Sequence, residues 1–197
     1  MKSNQIITNL IKEGSSVLDL GCGNGSLLEL LISKKKVRGM GVEIDSKNIQ
    51  SCLEKGIDVI EQNIDKGLKN FRDDSYDSVL LSETIQVLKS PETVLLEISR
   101  IGKSAIVTFP NFAHWKSRFN LLIKGKMPKT RSLPDEWFNT KNIHLCTIKD
   151  FEELCDRLNI SIDKRVVINN QREVRLINHI LPNFFGELVV YQISRNK

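Results

Sequence analysis

The chain of 197 residues, 40% hydrophobic and 27% charged, can close one core without disulfides or metals, and its balance excludes a disordered or membrane-spanning chain. A formal charge of +5 and a pI near 9.0 permit an acidic partner but fall well short of marking a nucleic-acid-binding protein. Four cysteines without a C-x-x-C pair, and ten first residues lacking the apolar centre of an export signal, lead to the expectation of reduced thiols in a cytoplasmic protein.

Asn4 to Lys12 sets Ile6, Ile7, Leu10 and Ile11 on one face of a leading amphipathic helix. Ser16 to Leu20 reads as strand one. It enters a turn with glycines at 21, 23 and 25 and then a helix from about Gly25 to Ser33. Lys34, Lys35 and Lys36 follow where cations suit the negative end of the helix dipole. Strand two, Arg38 to Ile44, precedes a helix over Ser46 to Lys55, and strands three and four are Ile57 to Ile60 and Tyr76 to Leu81. Ser90-Pro91-Glu92 predicts a helix start with serine as cap, carrying Val94, Leu95 and Ile98 inward, before strand five at Ser104 to Phe109. Thr147 and Asp150 form a capping-box pattern ahead of a helix over Ile148 to Leu158. Ile160 to Val167 and Glu187 to Ile193 read as closing strands, with a polar loop from Asn169 to Pro182 between them. Alternating strand and helix signals predict one α/β domain over residues 1–197, a doubly wound, mostly parallel sheet of seven strands. A basic and aromatic insertion occupies about 112–146.

Strand, glycine turn and helix together bring bare backbone N–H groups up to a ligand beside a helix N-terminus. Glu43 lies 22 residues beyond Gly21, where a carboxylate accepts hydrogen bonds from ribose hydroxyls. That spacing serves nicotinamide cofactors and S-adenosylmethionine alike. The turn separates them, because dinucleotide folds use G-x-G-x-x-G and here Ser26 takes the sixth position. Asp19, two residues before the first glycine, would repel a pyrophosphate but attract an α-amino group. The pattern therefore prefers an adenosyl amino acid.

Val17 to Gly25 resembles the first motif of the class I S-adenosylmethionine-dependent methyltransferases, and Gly41-Val42-Glu43-Ile44-Asp45 resembles their second. The resemblance implies a Rossmann-like fold whose glycine turn holds the methionine part while Glu43 takes the ribose. Asn63 stands where the family usually places an aspartate against the adenine amino group; it keeps an acceptor without the charge, and Asp65 lies close by. The implied ligand is S-adenosylmethionine or S-adenosylhomocysteine, held by Asp19, Gly21, Gly23, Asn24, Glu43, Asn63 and Ser82, with no metal. Ser82 to Leu88, Phe109 to Trp115, Gly125 to Pro128 and Asn142 to Thr147 are similar to stretches of one branch, the MetW family. This similarity spans nearly the whole chain and is weakest from Asn169 to His179. It implies a role beside homoserine O-acyltransferase in the first committed step of methionine synthesis. It brings no methyl acceptor with it. The residues themselves give no sign of a membrane partner and rank nucleic acid behind a protein partner.

Methyl transfer from a sulfonium needs alignment of the nucleophile and, for some acceptors, a base. Glu83, Asn111 and His114 follow strands four and five and are the catalytic candidates; each also has a plain reading, as a solvated acid, a turn former and a packed ring. Cys22 reads as compact filler of the turn, and His144-Leu145-Cys146 lacks the second pair that a metal site needs. Lys116 to Arg131 carries six cations and no acid, with aromatics in and around it. A solvated helix, an RNA contact and a protein-docking surface are all consistent with that segment. Leu121, Leu122, Ile123 and Met127 among the charges favour the docking surface. The alternative function is methyl transfer to an unidentified small molecule, with RNA behind it.

Overall fold

The computed structural model describes residues 2–170, 172–173 and 180–196. Strands β1 (Ser16–Leu20), β2 (Arg38–Glu43), β3 (Asp58–Glu61), β4 (Ser78–Ser82) and β5 (Ala105–Pro110) are parallel to their neighbours. With β6 (Ile160–Asn169), β7 (Arg172–Glu173) and β8 (Leu188–Arg195) they form one sheet in the order 3-2-1-4-5-8-6-7, antiparallel in its last three pairings. Seven strands have four residues or more, matching the seven expected. The eighth, β7, has two residues and lies inside the stretch expected to be loop, where β6 also runs on to Asn169; residues 171 and 174–179 of that stretch lie outside the described residues.

Residues of the central strands alternate between two buried layers. Leu18, Leu20, Val79 and Leu81 pack with Val94, Leu95 and Ile98 of α4 (Pro91–Ile101) and Phe151 of α6 (Ile148–Arg157). Val17 and Leu80 pack on the other face with Ile7 of α1 (Lys2–Leu10), Leu28 and Leu31 of α2 (Ser26–Lys35) and Cys52 of α3 (Ser46–Glu54). Coverage of both faces is why these strands read as nearly continuous apolar runs.

Local signals behave unevenly. The capping box is present, with Thr147 Oγ1 accepting from Asp150 N–H at 3.2 Å and Asp150 Oδ2 accepting from Thr147 N–H at 3.2 Å. Ser90 precedes α4 with Pro91 in its first turn, but its side chain makes no capping bond. Instead the N–H groups of Lys89 and Ser90 donate to Asp65 Oδ1 at 2.9 and 3.3 Å, so a carboxylate from an earlier turn sets the entry to α4. In the insertion, α5 (Trp115–Phe119) runs directly into a π-helical turn, Asn120–Lys124, ended by Gly125 at φ 58°. A short helix, α7 (Pro182–Phe185), precedes β8. The winding reverses between β1 and β4, which opens a crevice at the carboxyl ends of these two strands.

Candidate functional site

Strand register brings Gly21, Glu43 and Ser82 to the rim of that crevice, since Leu20 pairs with Val42 and Asp19 with Leu80. Glu43 is buried and clamps the glycine turn. Its Oε2 accepts from Gly23 N–H at 2.8 Å, while Oε1 accepts from the N–H groups of Ile44 and Asp45 at 2.7 and 3.0 Å. Both lone pairs of Oε1 are thereby used, and one remains on Oε2 for a ligand hydroxyl.

The expectation of bare N–H groups in the turn is corrected here. Those of Gly21 and Cys22 both donate to Val42 C=O, at 2.8 and 3.1 Å, Gly23's goes to Glu43, and Gly25's to Cys22 C=O at 3.1 Å. The tight curl around the end of β2 consumes them, so the turn is no cradle for a pyrophosphate. It provides space instead. A Cβ on Gly23, whose φ is 55°, would meet nothing within 4 Å. The flanking glycines are packed tight: a Cβ on Gly21 would lie 2.8 Å from Thr84 Oγ1, and one on Gly25 would lie 2.7 Å from Ile57 Cδ1 and 2.9 Å from Cys52 Sγ.

Asp19 sits beneath this turn at 2% exposure, and its Oδ1 is buried without a hydrogen-bond partner. Burial, reinforced by the neighbouring Glu43 charge, raises its carboxyl from 3.8 to about 7. A buried acceptor with nothing to accept from calls for a donor from outside the chain. An α-ammonium group supplies one, with the charge that would favour ionised Asp19.

The remaining expected positions are occupied in different ways. Asn24 Oδ1 accepts from Ser26 Oγ at 2.7 Å and Ser26 N–H at 3.2 Å, just ahead of α2, and Lys55 Nζ donates to Asn24 C=O at 2.7 Å. Asn63 Oδ1 accepts from Asp65 N–H at 2.9 Å, capping the short 3₁₀ turn Ile64–Lys66. Ser82 Oγ lies 3.2 Å from Thr108 Oγ1. Glu83 holds a left-handed backbone at φ 52°, a strained state for this residue type, with its N–H donating to Thr108 Oγ1 at 3.0 Å. Its carboxyl is exposed at the rim yet raised by partial desolvation.

Asn111 is committed to the protein. Its amide N–H groups donate to Asn183 C=O at 3.0 Å and Gly186 C=O at 2.8 Å, and its Oδ1 accepts from Ala113 N–H at 3.1 Å. That leaves it no free donor for a substrate. His114 is buried with Nε2 unpartnered, and desolvation lowers its pKa, so the ring is neutral at pH 7. No three His, Cys, Asp or Glu side chains form a metal-binding group among the described residues.

Sequence reading missed Thr84 and Cys52. Thr84 packs against Gly21, and the Cys52 thiol donates to Gly23 C=O at 3.3 Å, 3.9 Å from Cys22 Sγ. Neither carries a motif; they meet the turn because β4 and α3 end beside it.

Known structures share this architecture. A methyltransferase from Mesorhizobium loti, titled as S-adenosylmethionine dependent, superposes with a TM-score of 0.73 at 12% identity, over 99% of this chain and 98% of that one. A possible histamine N-methyltransferase from Thermotoga maritima gives 0.70 at 18% identity, over 99% and 88%. At such identities the likeness shows the fold alone. In sequence, a bifunctional methionine biosynthesis protein MetXA/MetW of Rhodopirellula baltica is 36% identical over 198 aligned residues; they cover 96% of this chain but only 32% of that protein, so this chain spans about a third of its relative's length. The model of the methionine biosynthesis protein MetW matches residues 2–193, from the first helix into the last strand, and the chain belongs to the MetW family.

Proposed function

We propose that this chain binds S-adenosylmethionine or S-adenosylhomocysteine in the β1–β4 crevice and acts as an accessory or regulatory partner of homoserine O-acyltransferase. The observation that carries the partnership is the Rhodopirellula baltica relative, whose name joins MetXA and MetW in one bifunctional protein. Covalent joining holds two activities at high effective concentration, which rewards modules that work in contact.

The adenosyl site rests on the residues present. Asp19 would receive the α-ammonium, the open face of Gly23 would admit the methionine chain, and Glu43 Oε2 would accept from a ribose hydroxyl. Asn63 caps a 3₁₀ turn and Asp65 holds the chain ahead of α4, so adenine contact falls to their remaining lone pairs. Bound there, the sulfonium supplies an electrophilic methyl group and a positive charge that suits the carboxylates nearby.

A route from this site to the insertion is visible. Thr84 packs on Gly21 and begins the 3₁₀ turn Ile85–Val87; Gln86 C=O in that turn accepts from Ile143 N–H at 2.9 Å and His144 N–H at 3.0 Å. A ligand that orders the rim therefore biases the insertion. Linkage requires that the acyltransferase then change ligand affinity by the factor the ligand changes acyltransferase affinity, typically about 5- to 150-fold. Calorimetric titration of S-adenosylhomocysteine into the chain alone and into its mixture with the acyltransferase tests this. Identical dissociation constants would remove the regulatory reading. Failure of the two proteins to associate, with no change in acyltransferase activity, would remove the partnership itself.

The second reading, methyl transfer to a small molecule, is favoured by Glu83, whose strained backbone holds a carboxyl at the rim. Stoichiometric conversion of S-adenosylmethionine to S-adenosylhomocysteine in the presence of one added acceptor would establish it.

A further inference from the structure

We infer that the acyltransferase seats on the groove formed by α5, its π-helical extension and the strap at 129–131, through an acidic segment bearing apolar side chains. Trp115, Phe119 and Ile123 recur every four residues along α5 and the π-turn and line one wall of this cavity of about 400 Å³. Lys116, Lys124 and Arg131 line it beside them, and none forms an ion pair among the described residues. Among the described residues Glu187 is the one acid in its lining. Those residues thus offer an apolar wall and an excess of positive charge outside any ion pair, which complements an acidic amphipathic segment.

Exposure of the surrounding surface points the same way. Phe119 is 57% exposed, Ile123 63%, Leu122 82% and Trp137 72%, and Phe138 beside Trp137 is 70% exposed, whereas Phe109, Phe151 and Tyr191 are deeply buried. Exposed aromatic and aliphatic side chains ringed by cations are the composition of an interface centre with its polar rim, and contiguous apolar surface of this kind marks association sites. A π-helical turn within this wall is also the irregularity that recurs at functional positions. The two ends of the insertion are tied to each other, Phe112 N–H donating to Cys146 C=O at 3.0 Å, and Cys146 packs against the core, so the face is presented on a fixed base.

This assignment rests on the partnership proposed above and adds its surface. The test uses the full chain and the purified acyltransferase, with Phe119→Ser, Ile123→Ser and Lys124→Glu as variants and Lys164→Glu on β6 as a control for charge. Association is measured by calorimetry, and S-adenosylhomocysteine binding to each variant reports that the fold and the adenosyl site survive. The expected result is at least tenfold weaker association for each groove variant, none for Lys164→Glu, and unchanged ligand binding throughout. Equal association of wild type and groove variants overturns the surface while leaving the partnership standing. No association of the wild type overturns both. Tight, salt-sensitive binding of cellular RNA that the same three substitutions abolish, without loss of the acyltransferase, would reassign the groove to nucleic acid.

Discussion

Replacing Asp19 by asparagine should make the protein more stable and less able to bind its ligand. The carboxyl is buried with an unpartnered oxygen, and its ionisation moves from 3.8 in the open chain to about 7 in the fold. At about 1.36 kcal/mol for each tenfold change in proton affinity, charging Asp19 inside the fold costs roughly 4 kcal/mol. Because the folded value is the higher one, the stabilisation it gives is fully present below pH 4 and is lost as pH rises through 7. Asparagine has no charge to form. The stability advantage of Asp19→Asn over wild type should therefore grow by about 3 kcal/mol between pH 5 and pH 8 in urea unfolding. Ligand binding should follow the opposite trend. If ionised Asp19 receives the ammonium, affinity for S-adenosylhomocysteine in the wild type should weaken about tenfold for each pH unit below 7, and weaken again only at alkaline pH, where the ligand's own amine deprotonates. The variant should bind weakly and without the acid limb. Equal affinities for the two proteins, or a stability difference that stays flat from pH 5 to pH 8, would refute the reasoning.

Two glycine substitutions should separate space for the ligand from space for the fold. Gly23→Ala places its methyl in the open crevice and carries about 1 kcal/mol of left-handed strain, so calorimetry should show lost ligand binding in a folded protein. Gly25→Ala drives its methyl against Ile57 and Cys52 and should lower unfolding free energy by roughly 2–4 kcal/mol. Asp77 accepts from Ser16 N–H at 2.9 Å, Ser16 Oγ at 3.0 Å and Lys103 Nζ at 2.8 Å, and the lysine bond first, then those from Ser16, hold its carboxyl well below the usual range. Its contribution is present above pH 4 and lost below it; Asp77→Asn should cost about 1 kcal/mol at pH 7, with the difference shrinking in acid unfolding curves, the figure being small because the pair faces water. Thr147→Ala removes one half of the capping box and should cost about 1 kcal/mol in thermal unfolding, with ligand affinity unchanged.

The order of elements, the parallel half of the sheet and the glycine turn between β1 and α2 were legible in the sequence, because hydrophobic periodicity and turn chemistry are local properties of the chain. So was the place of Asp19 and Glu43 at the ends of their strands. What each carboxylate does there was not. Glu43 spends its oxygens on Gly23, Ile44 and Asp45, and Asp19 is left without a partner, because register and burial decide which acceptors meet donors. The turn's N–H groups read as free from the sequence; Val42, brought alongside by strand pairing, takes two of them. Asn111 reads equally as a substrate ligand or a turn former until α7 delivers Asn183 and Gly186 C=O groups to its amide, from more than seventy residues away. Ser90 reads as a cap, yet its side chain makes no capping bond, and Asp65 from a distant turn instead holds the N–H groups of Lys89 and Ser90 just ahead of the helix. Sequence determined which elements form and which residue types gather at the strand ends. Tertiary structure decided which of their polar atoms are satisfied, and a ligand responds to the ones that are not.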